Sequence, residues 1–224
     1  MKTVLNRISA VLCSLTLLTA FASCGKSDSD EEKKTNNNLV GGDIDDDVNV
    51  GVDDMPYGST MRSMRPAADN DVPLMIEFDY RFVTEDMAYA VSNYMAGVAK
   101  KDPALMQKAT NPEIFKAAME SEEAATPEEY AEAMYNDIKE VVGDDFTLSM
   151  ISVQSVSDSS SFNFASYNMF VNSVLPDAQI TDRKLLELNV YYKTDDSSGT
   201  LYDKTGAYVN AVLYTIDGKL YIIG

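Results

Sequence analysis

The residues that could do chemistry in this chain are few in kind. Its 224 residues include no His, no Trp and two Cys, beside 13 Tyr and 36 acidic residues. Without His there is no imidazole base and no His-ligated metal, and two Cys cannot form a four-thiolate zinc site. Acid–base work is left to Tyr with Asp or Glu. Tyr192, Tyr208, Tyr214 and Tyr221 fall in one C-terminal stretch, with Asp182 and Glu187 near them in sequence. A tyrosine donor, a carboxylate base and a second carboxylic acid in an apolar pocket can move a proton beside a carbonyl. No spacing ties these six residues together, so the tyrosines read first as strand formers with half-buried rings. They are a candidate ligand face; no catalytic residue, cofactor or metal ligand is assigned.

Other motifs read the same way. Asp43, Asp45, Asp47 and Asp54 match positions 1, 3, 5 and 12 of a calcium loop, but Val48 stands where the sharp turn needs Gly. With Asp54 shorter than the usual Glu and no helical pattern on either flank, this is a solvated acidic segment with at most weak divalent binding. The serines at 157 and 159–161 have no base or strand-to-helix elbow and form a loop. Met87, Met95 and Met134 recur at helical spacing and fill a core.

Cys24 has a stronger context. Lys2 and Arg7 precede a fifteen-residue, mostly apolar run from Ile8 to Ala22, too short to span a bilayer as a helix. The run closes on Phe21-Ala22-Ser23-Cys24, followed by polar residues. This resembles the lipobox of bacterial lipoproteins, with Phe21 where Leu is commoner. The resemblance implies that Cys24 carries a diacylglyceryl group and becomes the N-terminus of a chain anchored on the extracytoplasmic face of the cell membrane. Cys13 then leaves with the signal peptide, no disulfide remains, and two acyl chains suffice for durable anchoring.

Residues 1–23 are therefore expected to be the signal peptide, and 24–72 the lipidated Cys with a flexible acidic linker. Between Cys24 and Val72 the only aromatic is Tyr57, among many Asp, Asn, Gly and Ser, and such a composition buries too little to order the chain. The formal net charge of -18 argues against nucleic acid as a partner.

The globular domain is expected at 73–224, because periodicity begins there. Leu74 to Phe82 alternates as a strand. Thr84, Asp102-Pro103, Asn111-Pro112 and Thr126-Pro127-Glu128-Glu129 are four helix starts, and Gly143 is placed to end the last helix in a left-handed conformation. Strands follow from Phe146 to Val156, around Leu186 to Tyr192 and from Ala207 to Ile216, with a helix near 162–175. Asp217-Gly218 is a two-residue hairpin turn that sets Tyr214 opposite Tyr221 and Leu213 opposite Ile222.

Helices followed by a curved antiparallel sheet of about four to five strands, closing on Asp217-Gly218-Lys219-Leu220-Tyr221, make an α+β domain similar to the NTF2-like, or cystatin-like, cone fold. Leu220 replaces the Trp usual in that hairpin. Many small bacterial lipoproteins of unknown function share this pattern. The resemblance implies a non-catalytic domain that binds a protein or cell-envelope component. The other reading is an NTF2-like small-molecule enzyme with Tyr, Asp and Glu as its acid–base groups.

Overall fold

In the structure, a computed structural model that describes residues 62–67 and 72–224, four successive helices begin where the capping residues predict. In α1 (Glu85–Lys100), Thr84 accepts the Met87 N–H, and Glu85 and Asp86 occupy the first turn, where the helix dipole favours them. Asp102 and Asn111 each accept two backbone N–H groups at the starts of α2 (Pro103–Ala109) and α3 (Pro112–Ser121). Thr126 caps α4 (Pro127–Val142), while the Glu129 carboxylate reaches back one residue further than the usual box, to the Ala125 N–H. Gly143 ends α4 at φ 99° and ψ 178°, an extended glycine conformation where a left-handed helical one was expected.

The strands are β1 (Arg62–Arg65), β2 (Met75–Asp79), β3 (Thr147–Asp158), β4 (Ile180–Lys193), β5 (Ser198–Thr200), β6 (Val209–Ile216) and β7 (Lys219–Ile222). They form one curled sheet, a half-barrel, in the order β1-β2-β3-β4-β6-β7, with β5 paired to the far end of β4. The α+β class is as expected; the sheet is not. It has seven strands, and it is mixed because β2 runs parallel to β3, Ile76 opposite Ile151. The four helices between these strands supply the long crossover that a parallel pair needs. The two further strands, RSMR and SGT, are too short and polar to show a period of two.

β1 also moves the domain boundary. It lies upstream of Pro73, yet Ser63 pairs with Phe78 and Arg65 forms an ion pair with Glu85. Arg62–Arg65 therefore belong to the folded unit, not to the linker in which composition places them. The signal region, Cys24 and the acidic window at 43–54 lie outside the described residues.

The sheet separates two cores. On one face, α1, α2 and α4 cover Ile76, Phe78, Ile151, Leu186, Leu188, Val190, Tyr192 and Leu213. Helices α1 and α2 approach closely there: a Cβ on Gly97 would stand 2.6 Å from Met106 Cγ and 2.8 Å from its backbone N. The buried Ser92 hydroxyl accepts the Leu74 N–H at 3.0 Å and donates to the Leu74 carbonyl at 2.7 Å, tying α1 to the chain entering β2. On the other face, α5 (Ala165–Val174) covers the opposite-parity residues Leu185, Val212, Tyr214 and Ile216, with Ile114 of α3 and Ile223 completing this second core. The hairpin register is as read from sequence, with Tyr214 opposite Tyr221 and Leu213 opposite Ile222. Both turn residues have positive φ, 51° at Asp217 and 78° at Gly218, as a two-residue hairpin with strand-matched twist requires.

Candidate functional site

Polar chemistry concentrates where α5 meets β4 and β6. Arg183 on β4 lies directly opposite Tyr214 on β6, so both side chains rise on the α5 face. The Arg183 guanidinium carbon stands 5.6 Å from the centre of the Tyr214 ring. Above them, Asn168 Oδ1 accepts from Arg183 Nε at 2.7 Å and from the Tyr214 hydroxyl at 2.7 Å. Because arginine can only donate, the atom it meets must be the amide oxygen, which fixes the orientation of Asn168. Its NH₂ group has no protein partner among the described residues and is left to the cavity beside it. Burial pushes the Tyr214 hydroxyl up to about 12 despite the opposing pull of Arg183, so it remains a donor at any physiological pH.

That cavity, of about 500 Å³, is lined by the 159–161 serines, Phe162, Asn163, Phe164, Ala165, Asn168 and Arg183. Among the described residues no carboxylate lines it. Asp158, just before the serines, organises their loop: it accepts the Ser160 N–H at 2.9 Å and the Ser160 hydroxyl at 2.5 Å, and these bonds hold its carboxyl below the usual range. Phe164 opens α5 without a side-chain cap, Asn163 bonds the Ala165 N–H, and no acid sits in the first turn. Arg183 is half-buried and, among the described residues, ion-paired with no carboxylate, although acids outnumber bases two to one in the chain.

The four tyrosines expected to share a ligand face do not converge. Tyr192 is in the core under α1, α2 and α4, while Tyr214 and Tyr221 belong to the core under α5. Tyr208 precedes β6 and stacks on Tyr202 of α6 (Leu201–Thr205) at 4.6 Å. The physical reason is parity. Along β4 the even positions from Leu186 to Tyr192 face the larger core, whereas Tyr214 opposes the odd-numbered Arg183. The two carboxylates do not join Tyr214 either: Asp182 accepts the Arg183 backbone N–H, and Glu187 accepts the Ser155 hydroxyl at 2.5 Å. Arg183 and Asn168 were not legible as site residues. The one sequence signal was a lone Arg beside the apolar alternation of a strand in an acidic chain.

Among the described residues no three acidic or Cys side chains come together as a metal site, and no helix is long and apolar enough to cross a membrane. Fold and site together define an α+β domain with a donor-lined cavity between its second core and solvent. Comparison with known protein families, with curated proteins and with solved structures finds no match.

Proposed function

We propose that this chain is a lipid-anchored, extracytoplasmic binding domain of NTF2-like type, tethered through Cys24, and that the cavity at the start of α5 is where it contacts a protein or cell-envelope component. The anchor reading rests on the order of Lys2, Arg7, the apolar run and Ala22-Ser23-Cys24. The binding reading is carried by one observation, the half-buried Arg183 that faces a donor-lined cavity without an acidic partner among the described residues. Turnover is disfavoured by the chemistry around Tyr214. Its hydroxyl is engaged by an amide, Asn168, where proton transfer would call for a carboxylate.

The two halves of the reading have separate tests. Cys24→Ser should abolish labelling with palmitate and release the protein from the membrane fraction; a membrane-bound, correctly processed variant overturns the anchor. For binding, thermal shift against wall fragments, neutral sugars and organic acids should raise the midpoint with at least one class, since a ligand that binds only the native state stabilises it. If no class moves the midpoint, the binding reading falls.

A further inference from the structure

The same cavity carries information on ligand charge, and the step taken here rests on the binding reading above. We infer that the cavity is an oxyanion site: it takes a small organic molecule through a carboxylate or phosphoryl group, held by Arg183 and the Asn168 amide. Three features converge on that chemistry.

The first is the state of the guanidinium. Arg183 Nε is engaged by Asn168 Oδ1 at 2.7 Å and the guanidinium also meets the Tyr214 hydroxyl, while the Nη donors have no carboxylate among the described residues. That end of the fork fits two oxygens of one anion through parallel charge-assisted hydrogen bonds. The second is the fixed amide. With Oδ1 occupied by two donors, Asn168 can present only NH₂ to the cavity, so it too offers hydrogen. The lock is robust, because Tyr214 is fully buried and burial keeps its hydroxyl protonated at any physiological pH. The third is the absence of competing charge in the lining. The two acids that flank lining residues in sequence are turned elsewhere, Asp158 onto Ser160 and Asp182 onto the Arg183 backbone N–H, and the Ser159 hydroxyl has no partner among the described residues. The acid-free start of α5, where Asn163 takes the Ala165 N–H, adds its positive dipole end to the same field. The helix end alone would not make a site; Arg183 and Asn168 do. Phe162, half-buried against Phe164 at 4.8 Å, gives the organic body of the ligand an apolar wall.

A neutral polyol would use the serines and Asn168 but would have no need of the guanidinium, and this difference makes the inference testable. Titrations followed by amide NMR would use benzoate and inorganic phosphate as anionic probes, with benzamide and glucose as neutral ones. The inference predicts shifts confined to residues 158–168 and 183 with benzoate, with phosphate or with both, and none with benzamide or glucose at about 10 mM. Whichever anion binds distinguishes a carboxylate from a phosphoryl ligand. Arg183→Gln should weaken binding about tenfold or more, while Arg183→Lys, which keeps the charge but loses the fork, should retain part of it. Unchanged resonances from the α1, α2 and α4 core would certify that both variants are folded. Glucose or benzamide binding that survives Arg183→Gln would overturn the oxyanion assignment and leave the binding domain standing. No response to either anion at about 10 mM would also overturn it.

Discussion

The two faces of the sheet are built from the same apolar residue types and do opposite things with polar groups. Under α1, α2 and α4 the buried polar group Ser92 is satisfied internally, both of its bonds going to the backbone of Leu74. Under α5 the buried Tyr214 hydroxyl points outward through Asn168 to a half-buried Arg183 and an open cavity. The first arrangement closes a core, because a buried hydroxyl with both partners adds specificity without reaching solvent. The second transmits order from core to surface. A buried ring positions an amide, the amide positions a guanidinium, and two sets of donors remain for a ligand. Both cores should therefore contribute to stability, and only the smaller one to recognition.

The largest effect expected separates two rings in one row. Tyr214 is fully buried and Tyr221 beside it only partly so. Tyr214→Ala should cost about 3–5 kcal/mol and leave a domain of this size close to unfolding, whereas Tyr221→Ala should cost about 1–2 kcal/mol. Equal losses in urea denaturation would mean that α5 shields both rings alike.

Next comes an alkaline slope specific to the α5 side. The Tyr214 hydroxyl is raised from 10 to about 12 by burial, so the unfolded chain loses this proton first. The stability it contributes is present in full below pH 10 and is lost as pH rises to about 12, to the extent of about 3 kcal/mol. Denaturation midpoints of wild type and Tyr214→Phe should differ below pH 10 and converge above it; parallel pH profiles would contradict the burial argument.

A smaller effect probes the opposite face. Gly97→Ala sets a methyl group 2.6 Å from Met106 Cγ and 2.9 Å from the Asp102 carbonyl, so α1 and α2 must separate. The cost should be about 1–3 kcal/mol by thermal melt, with the cavity at α5 unaffected. A neutral outcome would show that the α1–α2 contact is looser than its geometry.

Local signals in the sequence were reliable where the structure they encode is local. Thr84, Asp102, Asn111 and Thr126 all cap helices, and Asp217-Gly218 set the hairpin register correctly. What could not be read depends on distant pairing. β1 and β5 are strands because neighbours present free edges to them, not because RSMR or SGT alternates. The parallel β2–β3 pair follows from where four helices return the chain, which periodicity does not encode. The site behaves likewise. Tyr214 was legible as an inward aromatic, but its partners lie on α5 and β4, Asn168 being 46 residues away in sequence. Only the register of β4 on β6 brings Arg183 to the same face, and the same parity removes Tyr192 from it.

The central claim, that recognition resides on the α5 face alone while the opposite face contributes only to stability, is tested most directly by one paired measurement on two variants. Ser92→Ala leaves the Leu74 N–H and carbonyl without their buried partner, and Arg183→Gln removes the cavity's cation. Thermal midpoint and benzoate or phosphate affinity would be determined on the same samples. The account predicts that Ser92→Ala loses about 1–3 kcal/mol and binds like wild type below its midpoint, while Arg183→Gln melts within about 1 kcal/mol of wild type and binds about tenfold more weakly or worse. Both variants losing stability and affinity in proportion would contradict it, because recognition would then be a property of the whole fold and not of the face under α5.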